Sequence, residues 1–275
     1  MALEKALAGI IQAAEEENAP VPGDYRGEDG LLYCGRCHTP KQWRGRLPGL
    51  GETTVACCCR CHAEACAAAR EKQRLESRIQ QLRDDAFDSL YMQNWTFAAD
   101  DGGNLPLKTA MERYVELLAD PDRSLWRGLI LSGTVGCGKT WAAAEAVNAL
   151  IDRGIPCKMT NFARLSGDYQ ENRCAAEQLN RYHLLVIDDL GAERTTSYMN
   201  EIVYQVIDTR FRSGLPLIVT TNLTLEEIKK PQNPENQRIY SRLLEMCHPI
   251  AVPGRDRRRQ KAADRYDAMR AYLGL

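Results

Sequence analysis

The sequence predicts an α/β protein: a three-layer α/β/α domain around a parallel sheet, preceded by a small metal-binding module. Three observations carry this. From residue 128 onward, short apolar runs alternate with helical stretches of roughly 10–15 residues, the pattern of crossover-connected parallel strands. A glycine-rich loop, Gly133-Thr-Val-Gly-Cys-Gly-Lys-Thr140, sits between one such strand and one such helix. Seven of the eleven cysteines fall between Cys34 and Cys66.

Composition sets the outer bounds. The chain has 275 residues, 44% hydrophobic and 27% charged, with a net charge of −1. That apolar fraction supports a core and excludes wholesale disorder. The longest uncharged stretch, Ser213 to Leu225, is 13 residues and contains Pro216. A membrane span needs about 20, so no membrane association is expected. The neutral total hides a sorted arrangement: residues 1–33 carry −5, residues 34–66 carry +3 and residues 254–275 carry +4. An odd cysteine count with local clustering favours a metal site in a reducing compartment over a disulfide framework. Lys5 followed by the apolar run Ala6–Ala14 imitates a signal peptide, but Glu4 and Glu15–Glu17 fit that badly. An amphipathic helix in a cytoplasmic protein is expected instead.

In chain order, Val21–Gly30 is turn-rich and reads as a linker. The cysteine module ends near Cys66. Ala67–Arg83 lacks Pro and Gly and intersperses charge with Leu75, Ile79 and Leu82, a solvent-facing helix with a narrow apolar stripe. Asp100–Pro106 reads as a hinge-like loop. The expected organisation is therefore 1–66, an N-terminal helix and metal module; 67–106, a helical linker; and 107–275, the α/β domain. Within that domain, strands are expected at Gly128–Ser132, Cys157–Asn161, Leu184–Ile187 and Pro216–Thr221. Helices are expected at Thr140–Arg153 and Ser197–Arg212, and Leu165–Arg181 is expected to be mostly helical.

The loop carries the chemistry. Its glycines let successive N–H groups of Gly133, Thr134, Val135, Gly136, Cys137 and Gly138 turn toward phosphate oxygens. The helix that follows through Lys139, Thr140 and Trp141 adds its N-terminal amides and positive dipole end. Lys139 would reach the β- and γ-phosphates of ATP, and the Thr140 hydroxyl would coordinate Mg²⁺. The run His183-Leu-Leu-Val-Ile-Asp188-Asp189 is a buried strand ending in two carboxylates at the rim where parallel sheets bind ligands. Asp188 would hold Mg²⁺, and Asp189 would orient or deprotonate the attacking water. The next strand ends Thr220-Thr221-Asn222, which puts a neutral amide in register to sense the γ-phosphate.

The succession of phosphate loop, Ile-Asp-Asp-Leu-Gly, Thr-Thr-Asn and Arg238-Ile-Tyr-Ser-Arg242-Leu-Leu-Glu resembles the AAA+ (ASCE) P-loop ATPases of the DnaC/IstB type, over roughly residues 90–258. The Cys-Gly-Arg-Cys-His-Thr-Pro-Lys and Ala-Cys-Cys-Cys-Arg-Cys-His segments look like the zinc-bearing front end of phage-type loaders in that family. The resemblance implies an ATPase, weak alone and activated by assembly, that loads a hexameric replicative DNA helicase. It also implies a trans-acting arginine finger at Arg242, with Arg238 as alternative. A nucleotide-contacting arginine in cis falls on Arg258, with Arg257 as competitor because Asp256-Arg257 departs from the commoner Ser-Tyr. By analogy with initiator-like relatives, Arg164, Tyr169 and Arg173 become candidates for single-stranded DNA. A transposition helper of the IstB type and a nucleotide-switched adaptor with little turnover are the competing readings.

For the cysteines, Cys34-x₂-Cys37 is a well-formed zinc knuckle and Cys58-x₂-Cys61 has matching spacing. The resemblance points instead to Cys57, Cys59 and Cys61, and His38 or His62 could substitute. A module of this size is too small to hold together by apolar burial, so Zn²⁺ would supply its folding energy.

Overall fold

The computed structural model describes residues 2–47, 51–171, 175–191, 197–231 and 233–274. The chain divides into two compact units, residues 1–76 and 77–275.

In the first unit, helix α1 (Ala2–Glu17) precedes two antiparallel pairs. Strand β1 (Tyr25–Arg26) pairs with β2 (Leu32–Tyr33), and β3 (Gln42–Leu47) with β4 (Gly51–Ala56). The β3–β4 ribbon was not apparent from sequence. Gly45, which argues against a strand, is there because the Trp43 indole lies across its backbone where a Cβ would stand. Asp24 accepts from the buried Lys41 ammonium at 2.8 Å, which holds its carboxyl down to about 2. Helix α2 (Arg60–Ala86) begins in this unit and continues into the second.

The second unit is built on a five-stranded, all-parallel sheet of order β6-β7-β8-β5-β9. In chain order its elements are α3 (Leu105–Ala119), β5 (Gly128–Ser132), α4 (Lys139–Ile151), β6 (Cys157–Asn161), α5 (Phe162–Glu171), α6 (Ala175–Gln178), β7 (Leu184–Leu190), α7 (Ser197–Ser213), β8 (Leu217–Thr221), α8 (Leu225–Lys229), α9 (Pro234–Met246), β9 (Cys247–Ala251) and α10 (Arg257–Leu273). The three inner strands, β7, β8 and β5, are buried on both faces over most of their length, which is why they read as apolar runs rather than alternating ones. The period of two divides them between layers. Leu129, Leu131, Val186 and Ile218 join one core with α3 and α4, whereas Ile130, Leu185, Ile187, Leu217 and Val219 join the other with α7 and α9. These are the three layers expected.

The 165–181 stretch is mostly helical, as expected, with α5, α6 and a 3₁₀ turn at Leu179–Arg181 among its described residues. Two features depart from expectation. The fifth strand, β9, was missed because Cys-His-Pro-Ile-Ala carries a proline. The sheet tolerates Pro249 because β9 lies at an edge, paired with β5 alone. The Asp100–Pro106 loop is tied to the second unit rather than hanging between elements. Asn104 caps α3 through its bond from Leu107 N–H at 3.2 Å and donates to the Pro253 carbonyl at 3.2 Å. No helix among the described residues is long and apolar enough to cross a membrane.

Candidate nucleotide and metal sites

The loop between β5 and α4 takes its shape from its glycines. Gly136 and Gly138 have φ of +79° and +101°, which L side chains rarely adopt, and a Cβ on Gly136 would collide with the Asp256 carboxylate. Lys139, 5% exposed, donates to the Gly133 and Thr134 carbonyls at 2.8 and 2.9 Å and to Asn222 Oδ1 at 2.9 Å. The ammonium and the candidate sensor amide are thus in direct contact, although 83 residues separate them. Thr134 and Val135 form the exposed crest of the loop, Cys137 is buried beneath it, and Thr140 is half-buried at the start of α4.

The segment from Val252 to Arg257 runs along this loop. Val252 N–H donates to Ser132 O at 2.7 Å, the Thr134 hydroxyl to Gly254 O at 3.4 Å, and Arg257 N–H to Gly136 O at 3.1 Å. The Arg257 guanidinium pairs with Asp101 and approaches Asp100. Arg257, the competitor, is therefore beside the loop; the side chain of Arg258 lies outside the described residues.

Asp188 and Asp189 lie near the C-terminal end of β7 at the same rim, half-buried and exposed respectively. Asp188 Oδ1 accepts from the Thr220 hydroxyl at 2.6 Å. Trp141 has a packing role that its position in the motif did not suggest. Its indole stacks on Trp95 with centroids 4.8 Å apart and donates to Glu145 at 2.7 Å. Burial pushes that Glu145 carboxyl up to about 7, partly opposed by the indole bond.

The other candidates are scattered. Arg242 pairs within its own chain with Asp208 at 2.7 Å and lies over the Tyr204 ring at 4.6 Å, whereas Arg238 is exposed on the same helix. Arg164 pairs with Asp88 at 3.3 Å. The Tyr169 side chain and Arg173 lie outside the described residues.

In the first unit, Cys34, Cys37, Cys59 and Cys61 bring their sulfurs within 4.8 Å of one another. Cys61 Sγ is 3.6 Å from both Cys34 and Cys59 Sγ. Four thiolates on one tetrahedral Zn²⁺ at about 2.3 Å would stand about 3.8 Å apart, so the donor set and spacing fit that ion. The cluster takes in Cys59 where the spacing pointed to Cys58. The Cys59 carbonyl accepts the first helical bond of α2, from Ala63 at 2.9 Å, which makes Cys59 the N-cap. An N-cap side chain leans over the second and third helical residues, here over Cys61. Cys58 is exposed with its sulfur directed to the Cys59 carbonyl, and Cys57 is directed to that of Pro40. Of the two alternatives the resemblance favoured, Cys59 joins the cluster and Cys57 does not. His38 bonds Tyr25 through Nδ1 at 3.2 Å instead. The Thr39 hydroxyl, 3.0 Å away, and backbone amides hold the Cys37 thiol down to about 5, toward the thiolate a metal requires.

A phosphate loop between β5 and α4, two carboxylates near the end of β7 and an amide after β8 define a P-loop ATPase geometry, and comparison agrees. The model of the IstB-like ATP binding protein family matches residues 122–264. The chain belongs to this family. Among relatives of this IstB-like protein, the replicative helicase loader DnaI of Bacillus subtilis is 27% identical over 148 residues, covering 48% of each chain. The replicative helicase loader DnaC of Escherichia coli K12 is 33% identical over 111 residues, covering 37% of this chain and 44% of that one. The chain thus spans about half the length of these curated relatives. A crystal structure of DnaI superposes with a TM-score of 0.53 at 20% identity, over 64% of this chain and 99% of that one, and shows a shared fold.

Proposed function

We propose that this IstB-like protein is an ATP-dependent helicase loader. Its N-terminal unit would bind a hexameric replicative DNA helicase, and its AAA+ unit would bind ATP, single-stranded DNA and further copies of itself. What carries the reading is the pairing of a nucleotide site with a separate four-cysteine centre in one chain, together with relatives named as replicative helicase loaders. The loop Gly133–Thr140 would hold ATP, Thr140 and Asp188 would hold Mg²⁺, and the four cysteines would hold Zn²⁺. Bound Mg²⁺ neutralises charge on the phosphates, and Zn²⁺ stabilises the small unit.

Each protein group has a separate task. Lys139, held in place by two carbonyls and Asn222, presents its charge to the β- and γ-phosphates. Asp189 orients the attacking water or takes its proton. Arg242 or Arg238 completes the site of a neighbouring copy, so turnover is weak in the isolated chain. Arg238 has the exposed position; Arg242 must leave Asp208 to act in trans.

The test is co-purification with the replicative helicase of the native host in ATP, ADP and nucleotide-free states. Formation of a complex in at least one state is expected. Its absence in all three would remove the loader reading and favour the second one, a transposition helper ATPase of the IstB type, whose name the matching family carries.

A further inference from the structure

The pairing of β7 with β8 breaks at the site. Register runs Ile187 opposite Val219 and then Leu190 opposite Thr221, so that Asp188 and Asp189 together face the single residue Thr220. This is a β-bulge, two residues against one. Asp189 has φ of +58°, an uncommon conformation for a residue with a Cβ. In a regular strand, consecutive side chains point to opposite faces, and one of these two carboxylates would enter the helical layer. The bulge leaves Asp188 half-buried and Asp189 exposed at the rim instead, with Leu190 buried again immediately after.

One hydroxyl spans the break. Thr220 Oγ1 accepts from Asp189 N–H at 3.0 Å and donates to Asp188 Oδ1 at 2.6 Å. A hydroxyl has one proton and two lone pairs, so both bonds form together. Thr220 is fully buried, and its branched Cβ restricts χ1, so the oxygen is held in one place by the strand itself. We infer that Thr220 is a positioning residue for the nucleotide site. It fixes the Asp188 carboxylate and locks the left-handed backbone of Asp189, and so sets where both acids stand relative to the phosphate loop. This rests on the ATPase reading above, but concerns a residue whose hydroxyl is bonded to both acids.

The test compares Thr220→Val, which keeps the shape and loses the hydroxyl, with Thr220→Ser, which keeps the hydroxyl. Binding of a fluorescent ATP analogue is measured with Mg²⁺ and with EDTA, alongside steady-state hydrolysis, in the full chain. For Thr220→Val we expect affinity in EDTA within about twofold of wild type, the Mg²⁺-dependent gain reduced about tenfold, and kcat reduced at least about tenfold. Thr220→Ser should keep both within about threefold. If Thr220→Val does not fold, Thr220→Ala against Thr220→Ser isolates the same hydroxyl. Wild-type Mg²⁺ gain and turnover in the hydroxyl-free variant would overturn the inference, as would equal impairment in Thr220→Ser, which would assign the effect to packing. A wild-type chain that binds ATP with a Mg²⁺ gain but never hydrolyses it would count against the ATPase reading alone, because the binding comparison still decides the role of Thr220.

Discussion

Arg210 offers the sharpest test of how the sheet supports the site. It lies on α7, is 1% exposed, and directs its guanidinium at four carbonyl oxygens. Nη1 donates to Tyr182 O at 2.9 Å and Leu179 O at 3.3 Å; Nη2 donates to His183 O at 2.6 Å and Pro216 O at 2.8 Å; and Nε donates again to Pro216 O at 3.2 Å. Tyr182 and His183 lead into β7 and Pro216 into β8, so one fork ties down the entries of the two strands whose exits carry Asp188, Asp189 and Asn222. Burial lowers its pKa to about 10, leaving it charged at neutral pH. On Arg210→Ala, the Leu179 and Pro216 carbonyls keep a backbone donor each, from Tyr182 and Leu185 at 3.3 Å. The Tyr182 and His183 carbonyls lose their guanidinium donor, at about 1–3 kcal/mol each. With the two weakened bonds, the expected cost is about 3–5 kcal/mol, or about 8–15 °C in Tm for a unit of this size. Thermal and urea melts followed by circular dichroism provide the measurement. Arg210→Lys should fall between, since a single ammonium cannot span the fork. A Tm for Arg210→Ala within about 2 °C of wild type would refute the clamp.

Three further outcomes are expected. Cys59→Ser should lose most bound zinc when challenged with a chelator, read by metal analysis, whereas Cys58→Ser should retain it; the opposite ranking would restore the Cys58 assignment. Lys139→Ala should abolish ATP binding by calorimetry, and Asp189→Asn should keep binding but slow turnover by at least about tenfold, so wild-type turnover in Asp189→Asn would end its water-activating role. Glu145 is pushed up to about 7 by burial, so between its ordinary range and pH 7 the folded chain binds more protons than the unfolded one. Stability should therefore fall as pH rises through that window, and urea midpoints at pH 5 and pH 8 should show a smaller decline in Glu145→Gln than in wild type.

The parts of this molecule that obey local rules were legible in the sequence. Three apolar runs became the inner strands because both faces of a parallel sheet are buried there, and Gly133–Thr140 was placed by its flanking strand and helix. What was not legible depends on tertiary partners. Pro249 hid β9 because edge position cannot be seen in a pentapeptide, and Gly45 hid β3 because the Trp43 ring that needs it acts through space. Spacing favoured Cys58 over Cys59, and the deciding fact was where α2 begins. Trp141 stood beside a phosphate motif, yet its indole packs on Trp95, a partner 46 positions earlier in the sequence. Thr220 stood in the Thr-Thr-Asn run that pointed to Asn222, but a threonine in a strand is ordinary and nothing showed that its hydroxyl would span a bulge.

These failures share a physical cause, and it explains where the site is. A sheet covered on both faces leaves polar groups only its rim, and regular strand geometry sends alternate residues back into the core. Placing two adjacent carboxylates, a lysine and an amide together at that rim requires departures from regularity: positive φ at Gly136, Gly138 and Asp189, and a bulge opposite Thr220. Such departures are unfavourable in isolation and persist only where surrounding bonds over-determine them. Here those bonds are the Thr220 hydroxyl on one side and the Val252–Arg257 segment against Gly136 on the other. The rim therefore depends on the strands behind it, whose entries at the opposite end of the sheet are the ones that Arg210 ties down.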